Sequence, residues 1–301
     1  MNNPRLSLRQ LRIFAAIAET GSTTAAAATI GLSQSATSAA LKELERLLGA
    51  VLFDRSGKRL HLNDQGRALL PGALALVDGA NGLERSGGGR GRQIRSLRIG
   101  ASTTIGNYRL PGLLARFYAG APDVMETAWQ AGARIGNTAA IVDAVADFEL
   151  DVGLIEGPAH HPAVRAGDWL QDELVIVGAP HKKAARSLAE LSAQVWLLRE
   201  VGSGTREMTD QLLLPHLGAW QRRIELGSSE AIKQAVVEGM GFACLSRWVV
   251  ADLLASGGLV ALQTPLPRLT RQCYWIIHRD KQPTPALSAF IAIATAAHAA
   301  L

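Results

Sequence analysis

The apolar positions of the chain follow two different periods. Leu8, Leu11, Phe14, Ala15 and Ala18 recur at helical spacing. That spacing predicts an amphipathic helix with Ser7 as its N-cap, Gln10 completing a capping box, and Gly21 as its end. A short alanine-rich helix follows over roughly residues 24–30, and Gly31 supplies a turn. Ser33 is placed to cap a third helix, whose core side carries Leu41, Leu44, Leu47 and Leu48 before Gly49 closes it. In "VLFDRSGKRLHLND" two short apolar runs flank Ser56-Gly57-Lys58, the pattern of a β-hairpin. Asn63 or Asp64 can cap a further helix in which Leu69, Ala73, Leu76, Ala80 and Leu83 are spaced alternately four and three apart. Such a stripe predicts a short coiled-coil seam; a helix packed on its own domain would carry the same stripe.

After the glycine-rich stretch "SGGGRGR" at residues 86–92 the pattern changes. Short apolar runs at 97–100, 151–155, 174–177, 195–198 and 242–245 alternate with helical patterns. This predicts an α/β region with a mainly parallel sheet. The glycines follow a helix rather than a strand, so neither a dinucleotide loop nor a P-loop is indicated. The 301 residues are enough for two domains.

Charge separates the same two regions. Residues 1–95 carry 13 Lys/Arg against 7 Asp/Glu, and the remainder carries 18 against 19. A small basic region ahead of a near-neutral one points to a polyanionic partner for the first, although a solvated basic face would give the same count. No apolar run is long enough to span a bilayer, and the N-terminus lacks a signal segment, so a cytoplasmic location without a membrane partner is expected. Cys244 and Cys273 have no ligand spacing and read as buried small side chains. The tandem His160-His161 and the scattered His181, His216 and His278 lack metal-ligand spacing. Gly202-Ser203-Gly204 is not a nucleophile elbow. No catalytic residue, metal or cofactor is expected.

The segment "SQSATSAALKELERLLG" raises a specific question, because its first turn is loaded with hydroxyls and an amide, which favour a helix interior poorly. A helix-turn-helix gives them a use. Its second helix enters the DNA major groove with its first residues at the base edges. Gln34 can pair with an adenine edge, and Ser33, Ser35, Thr37 and Ser38 can reach bases or phosphates. Lys42, Arg55, Lys58 and Arg59 can neutralise phosphates.

The stretch "LRQLRIFAAIAETGSTTAAAATIGLSQSATSAALKELERLLGAVLFDR" resembles the DNA-binding domain of LysR-type transcriptional regulators. The resemblance rests on Ala26-Ala27, Ser33-Gln34, Ser38, Leu44-Glu45, Leu48-Gly49, and Leu52-Phe53 followed by Arg55. Ala39 stands where the family often has a polar or basic residue, and Asn63 replaces the usual Thr after the wing. The resemblance implies an α/β multidomain protein: a winged helix-turn-helix at residues 1–63, a dimerisation helix and hinge at 64–92, and a two-lobed effector domain like periplasmic binding proteins at 93–301. It further implies promoter DNA as partner, a homodimer or homotetramer, RNA polymerase contact in an activator, and an effector between the lobes.

An α/β sheet binds ligands where its strands end and helices begin. Four such places carry small donors: Ser102, Thr103 and Thr104; Asn137 and Thr138 after Gly136; Ser203, Thr205 and Arg206; and Ser228 and Ser229. Glu156 ends "DVGLIEG". Together they suit a small anion, while each alone reads as an ordinary N-cap. "RIGNTAAIVDAV", "DVGLIEGP" and "LLREVGSGTREM" with "LGSSEAIKQAVVEGMGFACLSR" look most like the branch that includes regulators of carbon fixation and sulfite-responsive regulators. That likeness implies sulfite or sulfate ahead of a phosphorylated or carboxylated small organic anion. Two other classes remain: a cytoplasmic anion-binding protein with a basic appendage, and an α/β enzyme.

Overall fold

The computed structural model describes residues 5–56, 59–86, 97–119, 132–181 and 187–296. Two compact units emerge: Met1–Gln93 with Asp280–Gln282, and Ile94–Arg279 with Pro283–Leu301.

In the first unit α1 (Leu8–Thr20) begins with the expected capping box. Ser7 Oγ accepts from Gln10 N at 3.2 Å, and Gln10 Oε1 accepts from Ser7 N at 2.8 Å. Gly21 ends the helix at φ 66°, a left-handed conformation in which a side chain would be strained. Its carbonyl accepts from Leu60 N at 2.9 Å, which ties the hairpin to the helices. α2 (Thr23–Ile30) and α3 (Gln34–Leu48) are capped by Ser22 and Ser33 and end at left-handed Gly31 and Gly49. β1 (Phe53–Ser56) and β2 (Arg59–Leu62) form the antiparallel hairpin. α4 (Asp64–Ser86) follows.

The core joins Leu11, Phe14, Ile17, Ala26, Leu41, Leu44, Leu52, Phe53 and Ala73. Ala26 is wholly buried, and its small side chain lets α2 pack closely. Leu8 is half exposed, and Ile13 and Ile17 take interior places instead. The α4 stripe divides along its length. Leu69 and Ala73 pack into this unit's own core, whereas Leu76 and Leu83 are 58% and 76% exposed. The linker at 87–92 lies outside the described residues.

The second unit contains, in order, β3 (Ile99–Ser102), α5 (Thr103–Tyr108), α6 (Leu110–Ala119), β4 (Ala133–Gly136), α7 (Thr138–Ala146), β5 (Val152–Glu156) and β6 (Val164–Gly178). Then come α8 (Leu188–Ser192), β7 (Val195–Leu198), α9 (Gly204–Leu217), β8 (Arg222–Glu225), α10 (Ser229–Val237), β9 (Ala243–Ser246), α11 (Arg247–Ser256), β10 (Val260–Ala261), β11 (Leu269–His278) and α12 (Pro285–Ala296).

One sheet runs β10-β6-β11-β5-β3-β4, with β9 also on β6. β7 and β8 pair in parallel, and β7 is bridged to the chain just before β9 at Phe242. The expectation of a mainly parallel sheet is corrected here. Parallel pairing is confined to β4-β3-β5 and β7-β8, while β6 and β11 pair antiparallel with each other and with their neighbours. These two strands are long because they pass from one lobe to the other. β11 pairs with β5 in the first lobe, and β6 continues onto β9 and β10 in the second. Strand alternation then builds a core on each face of the second lobe. Trp196, Leu198, Phe242 and Cys244 face one side, and Leu197, Ala243 and Leu245 the other.

Candidate functional site

The first candidate surface is the opening turn of α3. Ser33, Gln34, Ser35 and Lys42 are exposed, and Ser38 is half-buried. Ser33 Oγ accepts from Ala36 N at 3.2 Å and lies 3.1 Å from Ser35 Oγ. Gln34 Nε2 donates to Thr23 Oγ1 at 3.2 Å, which holds the amide against the preceding helix. Thr37 does not belong to this surface. It is 0% exposed, and its hydroxyl donates to Ser33 O at 3.0 Å, so it cannot meet a base. Arg46 is clamped by Glu43 at 2.6 and 2.7 Å, and Lys42 takes no such ion pair among the described residues. Arg59 is exposed on the hairpin; Lys58 and the Arg55 side chain lie outside what is described.

The second surface gathers the strand ends between the two lobes of the second unit. Glu156, at the end of β5, touches several of them. Its Oε1 accepts from Ile105 N at 3.3 Å in α5. Thr138 Oγ1 lies 3.4 Å from Glu156 O and accepts from Gly204 N at 3.1 Å, joining α7 to α9. Thr103 Oγ1 donates to Gly136 O at 3.0 Å. Ser102 and Thr104 are both 1% exposed, and Ser102 Oγ has no hydrogen-bond partner among the described residues.

Other expected residues are occupied as structure. Asn137, Ser203 and Ser228 cap α7, α9 and α10. Asn137 Nδ2 also reaches Glu200 Oε1 at 3.4 Å. Arg206 is corrected as an anion clamp: its guanidinium is held by Asp210 at 2.9 Å, Arg199 O at 3.0 Å and Glu225 at 3.2 Å. Thr205 Oγ1 serves a different arginine, accepting from Arg271 Nη1 at 2.8 Å.

Sequence reasoning missed that arginine and its partners. Arg271 on β11 is 0% exposed in its side chain and stands opposite Asp172 on β6. Nε and Nη2 lie 2.8 and 2.7 Å from Asp172 Oδ2, and Ser246 Oγ donates to Oδ1 at 2.8 Å. Burial alone would lower the Arg271 guanidinium, but Glu156 and Asp172 hold it above its ordinary value, so it stays charged. Burial pushes the Asp172 carboxyl up, against the pull of Arg271 and Ser246. Arg199 is likewise buried, donating to Ser229 Oγ at 3.0 Å and paired with Glu200 at 2.7 Å. The available signal was an arginine inside the otherwise strand-like "LTRQCYWIIH".

On the same side, Tyr108 Oη donates to Glu230, and the Arg109 guanidinium lies 4.9 Å from the Trp248 ring centroid. These contacts tie α5 and its following turn to α10 and α11 across the lobes. Ser102, Thr104, Thr138, Glu156, Ser203, Thr205 and Ser229 are buried, whereas Thr103, Asn137, Arg206 and Ser228 are half-buried. A cavity of about 440 Å³ lies elsewhere, along β6 and β10, and contains none of them. Among the described residues no group of His, Cys, Asp or Glu could hold a metal ion. Cys244 is buried, and burial pushes its thiol up to about 12, so it behaves as a small apolar side chain.

Comparison with known proteins finds matches over both units. Residues 8–67 match the family "Bacterial regulatory helix-turn-helix protein, lysR family", and residues 90–299 match "LysR substrate binding domain". The uncharacterised HTH-type transcriptional regulator YeiE of Escherichia coli K12 is 46% identical over 293 residues, 95% of this chain and 96% of that one. The RuBisCO operon transcriptional regulator of Allochromatium vinosum is 31% identical over 296 residues, 95% of this chain and 94% of that one. Among solved structures, the CcmR regulatory domain of Synechocystis PCC6803 in complex with 2-PG matches with a TM-score of 0.59 and 26% identity, covering 67% of this chain and 96% of that one.

Proposed function

The chain belongs to the LysR family of bacterial helix-turn-helix transcriptional regulators, and from that premise we propose an operator-binding switch governed by a small oxyanion, sulfite or sulfate. The observation that carries the DNA half is the Ser33-capped start of α3, which presents Gln34 and Ser35 outward with Lys42 further along the helix. Ser33, Ser38, Arg55, Lys58 and Arg59 complete the proposed interface. The protein acts where promoter DNA is, in the cytoplasm, and contacts RNA polymerase if it activates. Residues 1–63, 64–92 and 93–301 serve as DNA-binding, linking and effector-binding parts.

The oxyanion reading draws support from the neutral donors around Glu156. Arg199 and Arg271 already face carboxylates, and hydroxyls and backbone N–H groups add neutral donors. Ser102 Oγ, buried without a partner, is the clearest of them. A phosphorylated or carboxylated metabolite is the second reading, favoured by the 2-PG complex of the CcmR domain. In either case the effector acts only by binding one lobe arrangement better than the other.

A gel-shift titration tests the whole reading, using the promoter region beside the protein's own gene, excess nonspecific competitor, and sulfite present or absent. A discrete shift that survives competitor and changes with sulfite is the expected result. A smear removed by competitor sinks the operator-binding reading. Two substitutions refine it. Lys42→Ala should weaken binding on every sequence and lower the salt slope by about one. Gln34→Ala should cost roughly 1–3 kcal/mol at one base position only, and uniform loss on all sequences would remove Gln34 from base reading.

The exposed half of the α4 stripe is proposed as the seam of a homodimer, which can pair further into a tetramer. Leu76→Asp with Leu83→Asp should dissociate the dimer, as light scattering would read, because two buried carboxylates cannot share an apolar seam. An unchanged mass would place the dimer interface elsewhere.

A further inference from the structure

The hydrogen-bond count around Glu156 distinguishes among oxyanions. This inference rests on the oxyanion reading of the cleft. A carboxylate offers about four acceptor positions. Glu156 is 2% exposed, yet it receives one clear side-chain bond, from Ile105 N at 3.3 Å. Thr138 Oγ1 is 3.5 Å from Oε2 and nearer the backbone carbonyl of the same residue. Arg271 donates from Nε to Asp172 and from Nη1 to Thr205; its Nη2 lies 2.7 Å from Asp172 Oδ2 without forming a hydrogen bond and comes no closer to Glu156 than 3.9 Å. Two buried carboxylates therefore share one guanidinium, and Glu156 is the one left short of donors.

Among the described residues the other groups around it form no further hydrogen bond to it; an additional cation, Arg109, whose charge reaches Cys273, lies over the Trp248 ring. Gly204 of α9 and Thr138 of α7 bring no charge. Cys273, directly opposite on β11, is a buried thiol that burial keeps protonated. Asp172 brings a second carboxyl rather than a donor. Near Glu156, Ser102 ends the adjacent strand β3 with an unused hydroxyl that can donate. The cleft thus holds an unused donor and, in Glu156, an acceptor short of donors.

We infer that the effector is an oxyanion that keeps one proton, as hydrogensulfite does, and that it donates that proton's hydrogen bond to Glu156 while accepting from Ser102. Sulfate carries no proton near neutral pH. It would bring two negative charges and only acceptors against a buried carboxylate, which is the arrangement the site disfavours. Sulfite and phosphate both take up a proton in the neutral range. Glu156 is the specificity-determining residue and Ser102 the general oxyanion donor.

Calorimetric titration of the full-length protein with sulfite under anaerobic conditions, and with sulfate and phosphate, tests this at about pH 6 and about pH 8. Sulfite should bind at least about tenfold more tightly than sulfate, and more tightly at the lower pH. In Glu156→Gln the amide supplies the missing donor, so sulfate binding should rise about tenfold or more and the pH dependence of sulfite binding should vanish. Ser102→Ala should weaken sulfite while keeping its pH dependence. Should Glu156→Gln fail to fold, the wild-type ratio of sulfite to sulfate and its pH profile decide alone. Sulfate bound as tightly as sulfite by the wild type overturns the inference and leaves the oxyanion reading standing. So does a pH dependence unchanged in Glu156→Gln. Binding of none of the three at millimolar concentration overturns both.

Discussion

Arg271→Met is expected to destabilise the effector domain by about 3–5 kcal/mol, the usual cost of stripping one partner from a buried ion pair. The substitution roughly preserves volume, so little of the loss comes from a cavity. It comes from Asp172, which would keep only the Ser246 bond at 2.8 Å, and from Glu156, which would lose the cation it shares. For a domain of this size the melting temperature should fall by about 10 °C. The sign of the pH dependence follows from the same charges. Without Arg271 the buried Asp172 binds its proton more tightly in the folded state than in the unfolded chain. The variant is then least impaired in acid, and its deficit grows as pH rises through the raised carboxyl value. Replacing the other partner as well, Arg271→Met with Asp172→Leu, should recover most of the loss, because an apolar pair of similar bulk has no charge to strand. Thermal melts of the full-length single and double variants measure this. A single variant within about 1 kcal/mol of the parent would mean that water or neighbouring donors already solvate Asp172.

That pair lies beyond what local sequence dictates. Caps and turns set by a few adjacent residues are legible. The capping box of Ser7 and Gln10, the caps Ser33, Asn137, Ser203 and Ser228, and the turns at Gly21, Gly31 and Gly49 are each fixed by a few adjacent residues. Arg271 and Asp172 are 99 residues apart and meet only because β6 and β11 are antiparallel partners. Strand direction is not written in an apolar run, and the mainly parallel expectation failed for that reason. Thr37 shows the effect of helical phase. It shares the polar turn of α3 in sequence, but a helix turns it onto the face that Leu41 and Leu44 bury. The α4 stripe is continuous in sequence, although Leu69 and Ala73 belong to the domain core and Leu76 and Leu83 do not. Helical spacing gives the face of a residue; what covers that face depends on where the rest of the unit ends.

The same cleft yields the largest expected functional effect, at a residue with no side chain. Gly204 begins α9 in the second lobe, and its backbone N–H donates to Thr138 Oγ1 in the first lobe at 3.1 Å. A Cβ built there would stand 2.1 Å from the Glu156 carbonyl oxygen and 2.6 Å from Thr138 Oγ1. The nearer obstacle is backbone of a central strand, so no rotamer change relieves it. Either β5 shifts within a packed sheet or the lobes stay apart. Parting them sacrifices the bonds of Gly204 N to Thr138 and of Ala139 N to Gly202 O, the pairs Asn137–Glu200 and His160–Glu207, and the contacts of Tyr108 and Arg109, but it leaves each lobe's core whole. Gly204→Ala is therefore expected to hold the domain open, with each lobe folded and the DNA-binding unit untouched. Operator affinity should remain that of the effector-free protein. Effector affinity should fall about a hundredfold or more, because closure would have to absorb an overpacking strain of about 3 kcal/mol. Calorimetry and a gel shift with and without effector, on one preparation, separate the two readouts. Retained effector affinity would show that binding does not need this close approach. Loss of both activities together would show that the lobes and the DNA-binding unit stand or fall as one.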